Sequence, residues 1–201
     1  NELHIIHRDL KLENVMIDVN DDAKIVDFGF SSYADDHEEL KKPRGSLRYA
    51  APEIFLKQES TTAVDMWALG VIIFYCFTGY FPFDSEDSAS ELASKILFGK
   101  LEFPSDIPLD ARSLIWGLLR KNPHKRLTCE EALQHPWIIN DTKIEESDSD
   151  FTKFVESNNQ DNCSQIEIPP NSPKKASISK SKSGNIVKTT SSKNAKSSKL
   201  S

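Results

Sequence analysis

The chain has 201 residues, one ordinary domain with room for a tail. Its 25 Lys plus Arg against 31 Asp plus Glu give a formal charge of −6, which argues against nucleic acid as the main partner, because phosphate binding needs a basic footprint. Apolar residues are only 38% of the chain, and three scattered cysteines (Cys76, Cys129, Cys163) make no disulfide framework, which fits a reducing interior.

Val15-Met16-Ile17 and Ala23-Lys24-Ile25-Val26 are short β-leaning runs joined by Asn20-Asp21-Asp22, the pattern of a hairpin. Ala63 to Thr78 is apolar nearly all round and predicts a helix buried on every side, with Cys76 a small core residue and Gly79 the stop. Ser88-Ala-Ser-Glu91 is a capping box opening an amphipathic helix, with Leu92, Ile96 and Leu97 on one face and Gly99 at its end. Leu114, Ile115, Leu118 and Leu119 form a second stripe. Thr128-Cys-Glu-Glu131 caps a last short helix that ends at His135-Pro136. Trp67, Trp116 and Trp137 read as core anchors, His7 as a packing residue, and His124 and His135 as surface or helix-end residues.

From Lys174 to Ser201 there are eight lysines and no acid, so the remaining residues carry −14. Lacking aromatic residues, that end cannot bury enough apolar surface to offset its ordering entropy. The expected organisation is a folded domain over 1–139 and a disordered Ser/Lys/Asn-rich tail over 140–201. The lysine-rich tail reads first as solvated linker. Phe151, Phe154 and Val155, at i, i+3, i+4, are a short patch within it. No run approaches the roughly 18 apolar residues of a membrane span, and no charged-then-apolar leader opens the chain.

The chemistry concentrates at the hairpin: His7-Arg-Asp-Leu-Lys-Leu-Glu-Asn14 precedes it and Asp27-Phe-Gly29 follows. Phosphoryl transfer needs a positioned attacking oxygen and neutralised phosphate charge more than covalent help. Asp9 can accept the proton of a substrate hydroxyl. Lys11 offers a cation to the transferring group. Asn14 and Asp27 supply the neutral and anionic oxygens that hard Mg²⁺ prefers, and a hairpin brings both to one end.

In this run the chain resembles the catalytic and magnesium loops of eukaryotic protein kinases. Ala51-Pro52-Glu53 resembles the motif closing the activation segment, and Asp65-Met-Trp-Ala-Leu-Gly70 the start of the buried helix that anchors the catalytic loop. Arg126 matches the arginine that pairs with Glu53. The likeness covers residues 1 to about 139. It implies a fold that is mainly α with small β-hairpins, the C-terminal lobe of a kinase. ATP and Mg²⁺ are the expected cofactors, protein Ser/Thr side chains the acceptors, and the cytoplasm or nucleus the setting. Lys11, with Ser46 bridging Asp9 and Lys11, resembles the serine/threonine class. Gly79–Asp84 (GYFPFD) and Ala132–Ile138 (ALQHPWI) resemble the calcium/calmodulin-dependent and AMP-activated group. By the same resemblance Arg8, Phe28, Gly29, Glu53, Asp65 and Arg126 are structural, and Glu13 reads a basic residue upstream of the acceptor. Acidic residues after 139 argue against a calmodulin helix.

Departures qualify the match. No glycine-rich loop or strand lysine stands before Asn1, so the expectation is a C-terminal lobe alone, inactive by itself. Lys42 occupies a place where many relatives carry a phosphorylatable threonine. Arg8 then lacks an obvious partner: either Ser31, Ser32 or Tyr33 is used, or Asp35, Asp36, Glu38 and Glu39 supply standing negative charge. The rival readings are a kinase-like lobe that only binds proteins and a small-molecule kinase, which would lack the APE and DMWALG motifs.

Overall fold

A computed structural model describes residues 4–139, and every reading made for the tail falls outside them. Strand β1 (Ile5–Ile6) leads into the His7–Asn14 loop, which ends in a 3₁₀ turn at Leu12–Asn14. Strands β2 (Val15–Ile17) and β3 (Ala23–Ile25) pair antiparallel, Val15 opposite Ile25, as the two β-leaning runs and their Asn20-Asp21-Asp22 link predict. Their turn closes on the Asp18 carboxylate, which accepts from the amides of Asn20 and Asp22 at 2.8 and 3.1 Å. Strand β4 (Ser32–Tyr33) pairs with β1, Ile5 opposite Tyr33. Two-residue strands have no period, so nothing local announced that sheet.

Seven helices follow among the described residues: α1 (His37–Leu40), α2 (Pro52–Phe55), α3 (Ala63–Thr78), α4 (Ala89–Phe98), α5 (Leu109–Leu118), α6 (Cys129–Leu133) and α7 (Pro136–Ile139). The capping chemistry is in place. Ser88 accepts from the Glu91 amide at 3.1 Å, and Thr128 and Glu131 cap each other reciprocally at α6. Leu92, Ile96 and Leu97 of α4, with Leu114, Ile115 and Leu118 of α5, turn their stripes into the core.

Helix α3 is the axis of the molecule. Trp67, Val71 and Phe74 are at most 1% exposed, and α5 lies against it. The two helices touch at Gly70, where a Cβ would stand 2.9 Å from the Leu118 and Leu119 side chains. Gly79, at φ 73°, ends α3 in the left-handed conformation and donates to the Tyr75 carbonyl at 2.8 Å. The expectation of burial on every side fails in the last turn. Cys76 and Phe77 are exposed, so Cys76 is not a core residue. An apolar run records what a helix could bury, not whether another element covers each of its sides, and in the last turn Cys76 and Phe77 are left uncovered. Trp67 and Trp116 are in the core, whereas Trp137 is half-buried with its ring 5.9 Å from Phe77. His135 is half-buried beside Ser113, and His124 is exposed at a 3₁₀ end.

Candidate active site

The loop from His7 to Asn14 owes its shape to a carboxylate far away in sequence. Asp65, in the first turn of α3, accepts the amides of His7 and Arg8 at 2.8 and 2.9 Å. Burial pushes the Asp65 carboxyl above its ordinary range, and these two N–H bonds act against that rise. Two amides on one anion turn the chain sharply, and Arg8 takes a positive φ of 68° there. His7 is the packing residue of this turn. Its Nε2 donates to the Val26 carbonyl at 3.0 Å, its Nδ1 accepts from the Asp9 amide at 3.3 Å, and the ring meets Phe28 edge-on at 4.9 Å. The tautomer is assigned from this network.

Asp9 sits in the bend, 5% exposed. Its Oδ1 accepts from the Ser46 amide at 2.8 Å and from the Ser46 hydroxyl at 2.9 Å. Its Oδ2 accepts from Lys11 Nζ at 2.9 Å, and Lys11 also reaches Ser46 Oγ at 3.4 Å. Burial raises the Asp9 pKa, but the bonds from Lys11 and Ser46 outweigh it and hold the carboxyl below its ordinary value. Lys11 is raised, chiefly by its bond to Asp9, with Glu13 and Asp27 adding negative charge nearby. Three of the expected residues therefore form one hydrogen-bonded cluster.

Asn14 is buried, and its Nδ2 donates to the Asp9 carbonyl at 2.9 Å, so its amide oxygen is the atom that could ligate a cation. The Asn14 carbonyl accepts from the Val26 amide at 2.9 Å, which sets Asp27 beside Asn14 at the hairpin's end. Asp27 is exposed, has φ 62°, and accepts from Gly29 at 3.3 Å. Among the described residues no group of three His, Cys, Asp or Glu could hold a metal. One carboxylate and one amide oxygen are nevertheless the donor set that suits Mg²⁺, which takes one or two protein oxygens and fills its shell with water and phosphate. Phe28 is 53% exposed, and Glu13 is exposed on the turn after Lys11.

Glu53 and Arg126 lie apart from the cluster and hold the floor beneath it. Arg126 donates from NH1 to Glu53 Oε1 at 2.6 Å and from NH2 to Oε2 at 2.9 Å, with both side chains at most 2% exposed. Two participants had no signal at motif level. Gly45, at φ 99°, brings its backbone so close to Arg8 that a Cβ would lie 2.5 Å from the Arg8 carbonyl oxygen. Glu39 supplies a carboxylate 3.8 Å from Arg8; the sequence offered it only as one of several acids.

With this geometry in hand, the comparisons with known proteins converge. The protein kinase domain family matches residues 2–138, and the chain belongs to that family. It is 43% identical over 140 residues to a probable serine/threonine-protein kinase MARK-A of Dictyostelium discoideum, covering 69% of this chain and 13% of that protein. It is 44% identical over 136 residues to the serine/threonine-protein kinase ppk25 of Schizosaccharomyces pombe, covering 67% of this chain and 32% of the relative. An Aurora kinase of the same yeast is 38% identical over 136 residues, 68% of this chain and 38% of its own length. The chain thus spans well under half the length of these relatives. No helix among the described residues is long and apolar enough to cross a membrane.

Proposed function

We propose that this chain carries the phosphoryl-acceptor side of a serine/threonine protein kinase, with Asp9 as the general base and the γ-phosphoryl of ATP as the transferred group. The observation that supports it is the occupancy of the Asp9 carboxylate. Ser46 takes both positions on Oδ1, while Lys11 takes one on Oδ2, so one lone pair of Oδ2 remains for an incoming hydroxyl. A carboxyl held below its ordinary pKa is ionised at neutral pH and ready to accept that hydrogen bond.

Asn14 and Asp27 would hold Mg²⁺, which supplies neutralisation of phosphate charge when bound. Lys11, already tied to Asp9 and Ser46, lies where the same group would be transferred. Its link to Ser46 is the feature that supports acceptance by serine or threonine. The finer placement in the calcium/calmodulin-dependent and AMP-activated group rests on the GYFPFD and ALQHPWI segments. Recognition of a basic residue upstream of the acceptor rests on Glu13, whose charge is felt at Lys11 and Tyr49.

Asp9→Asn in the intact protein tests the assignment. With Mg²⁺-ATP and a basic serine peptide, turnover should fall by roughly 10²- to 10⁴-fold, the usual effect of losing a general base. Unchanged turnover would overturn Asp9 as the base, and phosphorylation absent from the wild type would favour a lobe that binds proteins without transferring phosphate.

A further inference from the structure

Two residues beyond the serine that faces Asp9, the chain presents a charge with no part in phosphoryl transfer. Ser46 donates to Asp9, Leu47 follows, and Arg48 stands on the surface, its side chain 48% exposed. It is held from two sides. Its guanidinium carbon lies over the Phe81 ring, 5.0 Å from the centre, and its Nε pairs with Asp84 Oδ1 at 3.0 Å. Asp84 is itself fixed: Oδ1 accepts from the Ser85 amide at 2.9 Å, and its carbonyl accepts from Lys95 Nζ at 2.8 Å. Among the described residues neither NH1 nor NH2 of Arg48 makes a hydrogen bond. An exposed ion pair contributes little stability, whereas contact with an aromatic face holds a guanidinium in place. The two terminal nitrogens therefore form a positioned fork, the shape that grips a carboxylate.

The fork shares a surface with the acceptor site. Phe81 meets the Tyr49 ring edge-on at 5.4 Å, and the Tyr75 ring, from the last turn of α3, at 4.9 Å. Burial chiefly raises the Tyr49 pKa and the charge of Glu13 adds to it, so Glu13 lies within electrostatic reach of that ring. Three aromatic rings thus carry Arg48 on Phe81 and have Glu13 near Tyr49, beside the contact of Ser46 with Asp9. We propose that Arg48 is a specificity-determining residue: it takes the carboxylate of an Asp or Glu in the substrate chain. The acceptor would then be read within a segment that carries an acidic as well as a basic residue. One cation beside Asp84 suits a singly charged carboxylate better than a phosphate, whose greater charge Asp84 repels more strongly. This role rests on the proposed transfer to protein serine or threonine.

The test uses the intact protein and fluorescent peptides that share an upstream arginine and an acceptor serine. Each carries one Glu, or its neutral counterpart Gln, at one flanking position, moved along the set. Anisotropy without nucleotide reads binding, and kcat/KM with Mg²⁺-ATP reads transfer. At one position or more the Glu peptide should bind about three- to tenfold tighter than its Gln match, as for an exposed charge-assisted contact. Arg48→Gln should abolish that difference, and Arg48→Glu should turn it against Glu. Asp84→Asn removes the competing anion and should keep or enlarge it. Each comparison is made within one protein, so a change in overall affinity cancels. Equal binding of Glu and Gln peptides by the wild type at every position overturns the inference. So does a preference that survives Arg48→Gln, and so does its loss in Asp84→Asn as well, since the pair would then only tie two loops together. A protein with the Arg48-dependent preference in binding that transfers no phosphate would refute the function and leave the role of Arg48 standing. One that transfers phosphate without the preference would do the reverse.

Discussion

Among single residues, the largest energetic stake lies in Glu53 and Arg126. Burial of two charges is repaid only when geometry is close and every remaining polar atom is satisfied. Here Arg126 also donates to the carbonyls of Ala63 at 2.6 Å and Arg120 at 2.9 Å, and its guanidinium lies 5.2 Å from the Trp67 ring centre. Arg126→Ala leaves the buried Glu53 carboxyl without its partner and should cost about 3–5 kcal/mol in urea unfolding. Replacing both partners with apolar residues of similar volume should cost less than the two single changes summed. A loss under about 1 kcal/mol for Arg126→Ala would show that water reaches Glu53. The Asp9 cluster follows the opposite logic. It holds its charge with hydrogen bonds from Ser46 and Lys11 at the edge of the core.

At the scale of the element, α1 is the feature with most to lose. Four residues cannot hold a helix by themselves. It stays because Leu40 is buried, Asp36 caps it, and His37 pairs with Glu59 at 2.6 Å. That pair is exposed, and Glu59 raises the His37 pKa, mainly through its hydrogen bond. A histidine whose folded pKa is raised contributes stability that is full below its unfolded value, about 6.5, and is lost as pH rises through the folded value. The urea midpoint of the wild type should therefore exceed that of His37→Gln at pH 5.5, and the gap should close by about pH 8.5. The His37 ring should titrate above about 6.5 by NMR. A gap independent of pH would mean that the histidine acts by packing alone.

For the whole molecule, the core closes within the described residues. Trp67, Leu97, Ile115 and Leu118 are fully buried around α3 and α5. The hairpin side is different. Met16, Ile17, Ile25, Phe28 and Phe30 are each 45–62% exposed there, near the proposed nucleotide end. We expect residues 1–139 to be the folding unit. A chain ending at 139 should unfold in urea with the same slope as the 201-residue chain and within about 0.5 kcal/mol of its stability, as for a surface change. A lower slope would mean that residues 140–201 bury surface against the domain.

The sequence by itself determined what is local. Two β-leaning runs joined by Asn20-Asp21-Asp22 announced the β2–β3 hairpin, apolar run length announced α3, and the cap residues at Ser88 and Thr128 fixed where α4 and α6 begin. The order of Asp9, Lys11, Asn14 and Asp27 suggested the proposed chemistry, since a hairpin alone joins the last two. Motif resemblance, rather than any physical pattern, pointed to Asp65, Ser46 and the Glu53–Arg126 pair. Only the tertiary structure decided the rest. It placed Asp65 on amides 57 and 58 residues away and Ser46 on a carboxylate 37 residues away. It paired β1 with β4, exposed Cys76 in the last turn of α3, and brought Glu39, out of a run of acids, beside Arg8. Periodicity records which face a residue shares with neighbours three or four positions away. A counter-charge for a buried arginine is settled by which distant segment packs over it, and composition cannot say which acid that segment presents.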